Sequence, residues 1–324
     1  MTNKSKRAVS AMSDDEFDAK FPSEKAAVDW FIDIRYKGNL TCPHCGETIS
    51  IYRERERLKV FHCSQCNNSF SPIKGTIFEK THLSIIRWFK IIKNFLNDRA
   101  GYSACHVTRD IKVTYKTAFR MLHQIRIAMA NREIEQVFEG VVEVDETYVG
   151  GKPRKTNAVL DKEGNTIVKP KIKNKRGRGT NKIPVSGVKE RSTGHVYAKV
   201  MFPNKEGKKL SGKQLLAVIE EACKKGTVIN TDEFRSYGIL NSKVNKEKYI
   251  HVTINHKKGQ YVNGDIHTNG IENFWSVIKN GIRGVYHHIS VKYLQRYVDE
   301  FCFRQNTRLD TNMFNVLLKQ CILV

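Results

Sequence analysis

The sequence predicts an α/β core, a mixed sheet flanked by helices, with a small cysteine-bearing module and a helical hairpin ahead of it. Three observations predict this. Two C-x2-C pairs lie between residues 42 and 66, and two amphipathic stripes separated by a three-residue break run on to residue 130. The second half then mixes β-branched runs with helical stripes, the pattern of a sheet covered by helices.

The 324 residues suffice for two or three compact units, and 40% apolar with 27% charged content is ordinary for a globular chain. The charge balance is not ordinary: 56 Lys and Arg stand against 33 Asp and Glu, a net +23 with a pI near 9.7. Such a surface attracts polyanions, of which nucleic acid is the commonest. No apolar run approaches 18 residues, and neither a secretory leader nor a lipidation signal is present. The expectation is a cytoplasmic, nucleoid-associated protein with no membrane partner. Eight cysteines in such a chain point to reduced thiols and metal ligation, not disulfides.

Residues 1–13 are polar and read as a tail; Ser23 then caps a helix with Ala26, Ala27, Trp30, Phe31 and Ile34 on one stripe, so 1–38 forms a tail and helix. Cys42, Cys45, Cys63 and Cys66 follow as C-x2-C-x17-C-x2-C, the spacing of a four-thiolate site. Two such knuckles facing each other hold one tetrahedral Zn²⁺ with no open position, a structural ion. With a hairpin over Ile49–Phe61, residues 39–80 read as a zinc ribbon; His44 and His62 are neighbours, not ligands. Cys105, Cys223, Cys302 and Cys321 have no such partners and read as small buried hydrophobes.

Leu83–Leu96 carries a strong helical stripe. Ser103–Ile111, the turn 112–114 and Tyr115–Ala130 then make helix, tight turn, helix, giving a helix-turn-helix region over 81–133. Its second helix is expected to expose Lys116, Arg120, His123 and Arg126 to a DNA groove, although a plain helical hairpin with a solvated basic face fits the same pattern.

In Glu139–Gly151, valines mark a strand and three acids crowd together. Alternation puts Glu143 and Asp145 on one face and Glu146 on the other. Buried carboxylates need a positive partner, and a divalent metal is one candidate. Segment 152–182 holds 11 Lys or Arg against two acids and no apolar period, so it reads as a basic insertion or flexible hairpin arm, not core. Strands at 183–189, 195–202, 227–231 and 249–254, a helix over 211–225, and helices over 269–282 and 291–305 complete the pattern. Asp145 lies at the C-terminal end of one strand, Asp232 just past another, and Glu272 in the first turn of the 269–282 helix, with Ser276 and Lys279 on the same face. Each also has a plain reading: a solvated strand end, a cap of the 233–237 turn, the third residue of a capping box begun by Asn269.

VEVDETYVGGK, VINTDEFRSY and HTNGIENFWSVIKNGIRGVYHHIS resemble the catalytic core of bacterial insertion-sequence transposases of the DDE type. CPHCG…HCSQC, SACHVTRDIKVTYKTAFRML and YVDEFCFRQNTR extend the resemblance over nearly the whole chain, to the ISXO2-like group with a zinc ribbon ahead of a ribonuclease-H-like domain. The resemblance implies a ribonuclease-H-like catalytic domain over 137–310, with 311–324 as a C-terminal helix or tail. It implies a triad at Asp145, Asp232 and Glu272, with Lys279 as the accompanying base. It further implies two catalytic Mg²⁺, for which Mn²⁺ can substitute, about 4 Å apart. The substrates would be double-stranded element ends and target DNA, gripped also by Lys257, Lys258 and Arg283, with a homodimer or larger assembly joining two ends. Glu146 and Glu233 are the nearest rivals for their neighbours' roles. The competing functions are a non-catalytic DNA-binding regulator and a nuclease that cuts without joining.

Overall fold

The structure, a computed structural model, describes residues 12–130, 138–150, 182–203, 210–254 and 267–323, with the backbone alone at 159–160 and 166–167. The chain divides into two compact units, the first formed by its beginning and its end.

In the first unit, α1 (Asp14–Lys20) is closed by a capping box between Ser13 and Glu16, and α2 (Glu24–Tyr36) is capped by the Ser23 hydroxyl. Three short strands, β1 (Ile51–Arg53), β2 (Phe61–Cys63) and β3 (Asn68–Phe70), form an antiparallel sheet. Then come α3 (Ile85–Asn97), α4 (Ala104–Ile111) and α5 (Tyr115–Ala130), the last two joined through Lys112 in the left-handed region. Phe17, Phe21, Phe31, Phe78, Phe89 and Phe314 interlock edge to face at the centre of one core that also takes in Cys42, Cys63 and Phe70 of the ribbon. α1 falls in the stretch after the expected tail, where Phe17 and Phe21 give it an apolar face to bury. Residues 1–11 lie outside the described residues.

Residues 299–323, which include most of α9 (Leu294–Asn306) and all of α10 (Met313–Leu323), also belong to this unit. Phe303, Phe314, Leu317, Leu318 and Cys321 fill its core. The expected division at 310 and the separate segment 311–324 therefore do not correspond to the packing: buried apolar residues tie the C-terminus to the helices of the first half.

The second unit is a five-stranded mixed sheet. In chain order its strands are β4 (Val141–Val149), β7 (Ile183–Glu190), β8 (Val196–Val200), β9 (Val228–Thr231) and β10 (Ile250–Thr253). Spatially the order is β10-β9-β4-β7-β8, with β4 central, antiparallel to β7 and parallel to β9. A small separate pair, β5 (Val159–Leu160) with β6 (Thr166–Ile167), lies in the basic segment. One face of the sheet, through Val142, Val144, Val188 and Ile229, packs on α6 (Gly212–Ala222) and the 3₁₀ turn Arg235–Asn241. The short α7 (Lys243–Lys246) leads to β10. The other face meets α8 (Asn269–Gly281), which continues as a π-helical turn, Ile282–Tyr286. This is the expected sheet under helices.

Candidate active site

The four cysteine sulfurs lie within 4.8 Å of one another, with Cys42 to Cys66 at 3.7 Å and Cys45 to Cys63 at 3.6 Å. Four converging thiols on two knuckles, tied to a three-stranded sheet, fit a tetrahedral structural Zn²⁺. His62 instead contacts Ser69 and Asn67.

On α5, Lys116 and Arg120 are exposed as expected, but His123 and Arg126 are not. Arg126 is 1% exposed; its Nε donates to Glu300 at 2.8 Å, and its guanidinium stacks over Phe95 and Tyr286. His123 is buried against Phe119. Both were expected on the DNA-facing surface; both belong to the core, because α5 is covered on more than one side.

β4 does alternate as expected, but it runs on to Val149 paired with β7, so Asp145 stands at its middle and not at its C-terminal end. Glu143 and Asp145 face α8, where Ile271 N–H donates to Glu143 and Trp275 Nε1 donates to Asp145 Oδ2 at 3.1 Å. Glu146 faces the other way and accepts the buried Tyr237 hydroxyl at 3.1 Å. The positive partner that buried Glu143 requires is Arg191, 2.9 Å away, so this acid is compensated by protein.

Asp145 is different. Its carboxyl is pushed up to about 7, first by burial and then by the negative charge of Glu146, Asp232 and Glu272. Acids from three separate parts of the chain thus bear on Asp145. Tyr237 is raised well above a normal phenol by burial and by Glu146, Asp145 and Asp232. Lys279, half-buried, is lowered by burial, offset by the charge of Asp145, with Arg283 and Lys182 also close enough to act on it. Asp232 also accepts Phe234 N–H at 2.9 Å, but it does not cap the helix that follows: that helix starts at Arg235, and its cap residue is Phe234, with no side-chain bond. Glu272 does not close a capping box: Thr268 is the cap residue, and its hydroxyl donates to Glu272 Oε1 at 2.9 Å. Glu233 is exposed, and so is Arg283. Lys257 and Lys258 lie outside the described residues. Among the described residues the cysteines are the group drawn within 4.8 Å; the three carboxylates are not held that tightly. Their hard oxygen donors, and the negative charge brought to bear on Asp145, nonetheless suit a hard divalent cation.

Sequence reasoning passed over Trp275 as a hydrogen-bond donor to Asp145, and Tyr237 as a donor to Glu146. The signal available was weak: Trp275 sits on a helical stripe that reads as core, and Tyr237 lies in a short turn with no stripe of its own.

Fold and site together define a zinc-ribbon protein with an acid-bearing mixed-sheet domain. Residues 137–306 match the ISXO2-like transposase domain, and residues 22–69 match the transposase zinc-ribbon domain. The chain belongs to the ISXO2-like transposase family. A protein of the transposable element ISH50 of Halobacterium salinarum is 28% identical over 86% of this chain and 90% of its own length. A transposase-like protein of Haemophilus influenzae is 28% identical over 32% of this chain and 79% of its own. Among solved structures, the pre-cleavage Mos1 transpososome is similar over 71% of this chain and 77% of that one, at 9% identity and a TM-score of 0.25, too slight to carry an argument. Among the described residues no helix is long and apolar enough to cross a membrane.

Proposed function

We propose that this transposase binds the ends of an insertion element, cuts the DNA there and joins the freed 3′ end to a target strand. Asp145, Asp232 and Glu272 would be the carboxylates that hold two divalent cations, Mg²⁺ by preference. When bound, such ions supply activation of the attacking hydroxyl and charge stabilisation at the leaving oxygen. The observation that supports the reading is the negative charge that Glu146, Asp232 and Glu272 bring to bear on Asp145, with no salt bridge to a guanidinium, such as Glu143 has, among the described residues.

The chain's own residues divide the remaining work. Trp275 holds one oxygen of Asp145 and so limits how the carboxylate can turn. Lys279, whose charged form Asp145 favours, would meet a phosphate oxygen. Exposed Lys116 and Arg120 on α5 would contact phosphates of the element end, the α4–α5 pair acting as a helix-turn-helix. Two copies would act together, since two ends must be joined.

Asp145→Asn, Asp232→Asn and Glu272→Gln are each expected to abolish Mg²⁺-dependent cleavage while end binding stays within about twofold of wild type. Wild-type cleavage by Glu272→Gln would refute the assignment. A strand-transfer assay with labelled ends separates a transposase from a nuclease that never joins, and no nicking at all would leave only a DNA binder.

A further inference from the structure

The first turn of α8 is tied to the sheet by charged side chains that the proposed chemistry does not use. Glu143 stands two residues before Asp145 on the same face of β4 and is 2% exposed. Its Oε2 accepts Ile271 N–H at 2.9 Å; its Oε1 accepts Arg191 Nε at 2.9 Å and lies 3.2 Å from His267 Nδ1. Arg191 also donates through Nη2 to the His267 carbonyl at 2.6 Å. Lys189, the cross-strand partner of Glu143, donates to the Gly270 carbonyl at 2.9 Å. Residues 267–271 are therefore held at three points by β4 and the end of β7.

The helix needs this support. Its first N–H groups have no partners within the helix, and Thr268 gives no side-chain cap; its hydroxyl points to Glu272, to which it donates. A carboxylate at a helix N-terminus satisfies an N–H and opposes the helix dipole favourably. The approach is close enough to dictate sequence: a Cβ on Gly270 would lie 2.7 Å from Glu143 Oε2. Glu272 is the next residue after the pinned Ile271.

We propose that Glu143, supported by Arg191 and Lys189, is a positioning residue: it locks the start of α8 to β4 and thereby fixes Glu272 relative to Asp145 for metal binding. The inference rests on the reading of Glu272 as a metal-holding carboxylate. One strand then carries both a metal-holding acid and the clamp that sets its partner. A cap that merely stabilises the helix would leave metal affinity alone in any variant that still folds.

The test uses the full chain with Glu143→Gln. Amide exchange is followed in the metal-free protein, and Mn²⁺ binding by the loss of the free-ion paramagnetic signal. Losing a charge-assisted bond should speed exchange at 270–272 about tenfold and raise the Mn²⁺ half-saturation by about the same factor. Amides in β4 and β7, and end binding, should be unchanged, and cleavage should recover at high Mn²⁺. Glu272→Gln should instead keep slow exchange at 270–272 and stay inactive at any metal concentration. Wild-type exchange at 270–272, or a wild-type Mn²⁺ half-saturation, in Glu143→Gln overturns the proposal. If that variant does not fold, Lys189→Met removes the Gly270 tie and should give a shift of a few fold in the same two readouts; no shift there overturns it equally. Normal cleavage by Glu272→Gln combined with fast exchange in Glu143→Gln would leave the clamp real and remove its link to the reaction.

Discussion

Gly187 and Trp275 together decide how Asp145 is held. Gly187 is the cross-strand partner of Asp145, and a Cβ there would lie 2.6 Å from the Trp275 ring. The missing side chain is what lets the indole lie on the sheet and donate to the carboxylate. Trp275→Phe keeps most of the packing and removes the donor. Cleavage should fall about tenfold or more, the worth of one hydrogen bond to a charged group, with the melting temperature close to wild type. Gly187→Ala should destabilise the second unit by about 1–3 kcal/mol through overpacking, read by denaturant unfolding, and lower cleavage as well. At the same scale the fate of a charge is contextual: Arg120 and Arg126 lie on one helix, yet one is exposed and the other is sealed against Glu300. End binding measured against salt should separate them. Lys116→Ala and Arg120→Ala should each flatten the salt slope by about one with little change in stability.

Among the elements, the zinc ribbon and the two long capped helices carry the clearest consequences. The ribbon's strands are three residues each and could not persist alone. Cys63→Ser, or a strong chelator, should release one zinc per chain, measured with a colorimetric indicator. It should also broaden the melting of the first unit, because Cys42, Cys63 and Phe70 belong to the shared core. The cysteine spacing made this module readable from sequence, since four thiolates at that interval have few other uses. The helix starts were only half readable. Ser23 and Ser211 cap α2 and α6 through local hydroxyl bonds. α3 and α8 instead receive a carboxylate from a distant element: Glu24 accepts Ile85 and Ile86 N–H at 2.7 and 3.0 Å, and Glu143 accepts Ile271. No local pattern announces a cap that comes from elsewhere in the chain.

For the whole molecule, the return of the C-terminus into the first unit matters most. Glu300 is fully buried; burial alone would raise its carboxyl, but Arg126, Arg304 and the Tyr286 hydroxyl bring it below the ordinary glutamate value. Its contribution to stability is therefore complete above the unfolded glutamate value and is lost as pH falls through the lower folded one. Glu300→Gln leaves two buried guanidiniums short of charge and should cost about 3–5 kcal/mol at neutral pH. Its melting temperature should then vary less than that of wild type across the acid range. Removing residues 311–324 should unfold the first unit, not trim a tail, because Phe314, Leu317, Leu318 and Cys321 lie in its core. A protease-resistant, normally melting truncation would contradict that packing.

The sequence by itself determined most of the elements and the cysteine cluster: alternation along β4, the stripes of α3 and α8, and the interval between cysteine pairs are local properties that survive without a fold. It also set Asp145, Asp232 and Glu272 apart as candidates. Only the tertiary structure decided which charges are already spent. Glu143 is neutralised by Arg191 and a helix end, and Arg126 by Glu300, while Asp145 is surrounded by further acids. The physical reason is that the free energy of a buried charge is set by whatever lies within a few ångströms of it, and those neighbours come from distant parts of the chain.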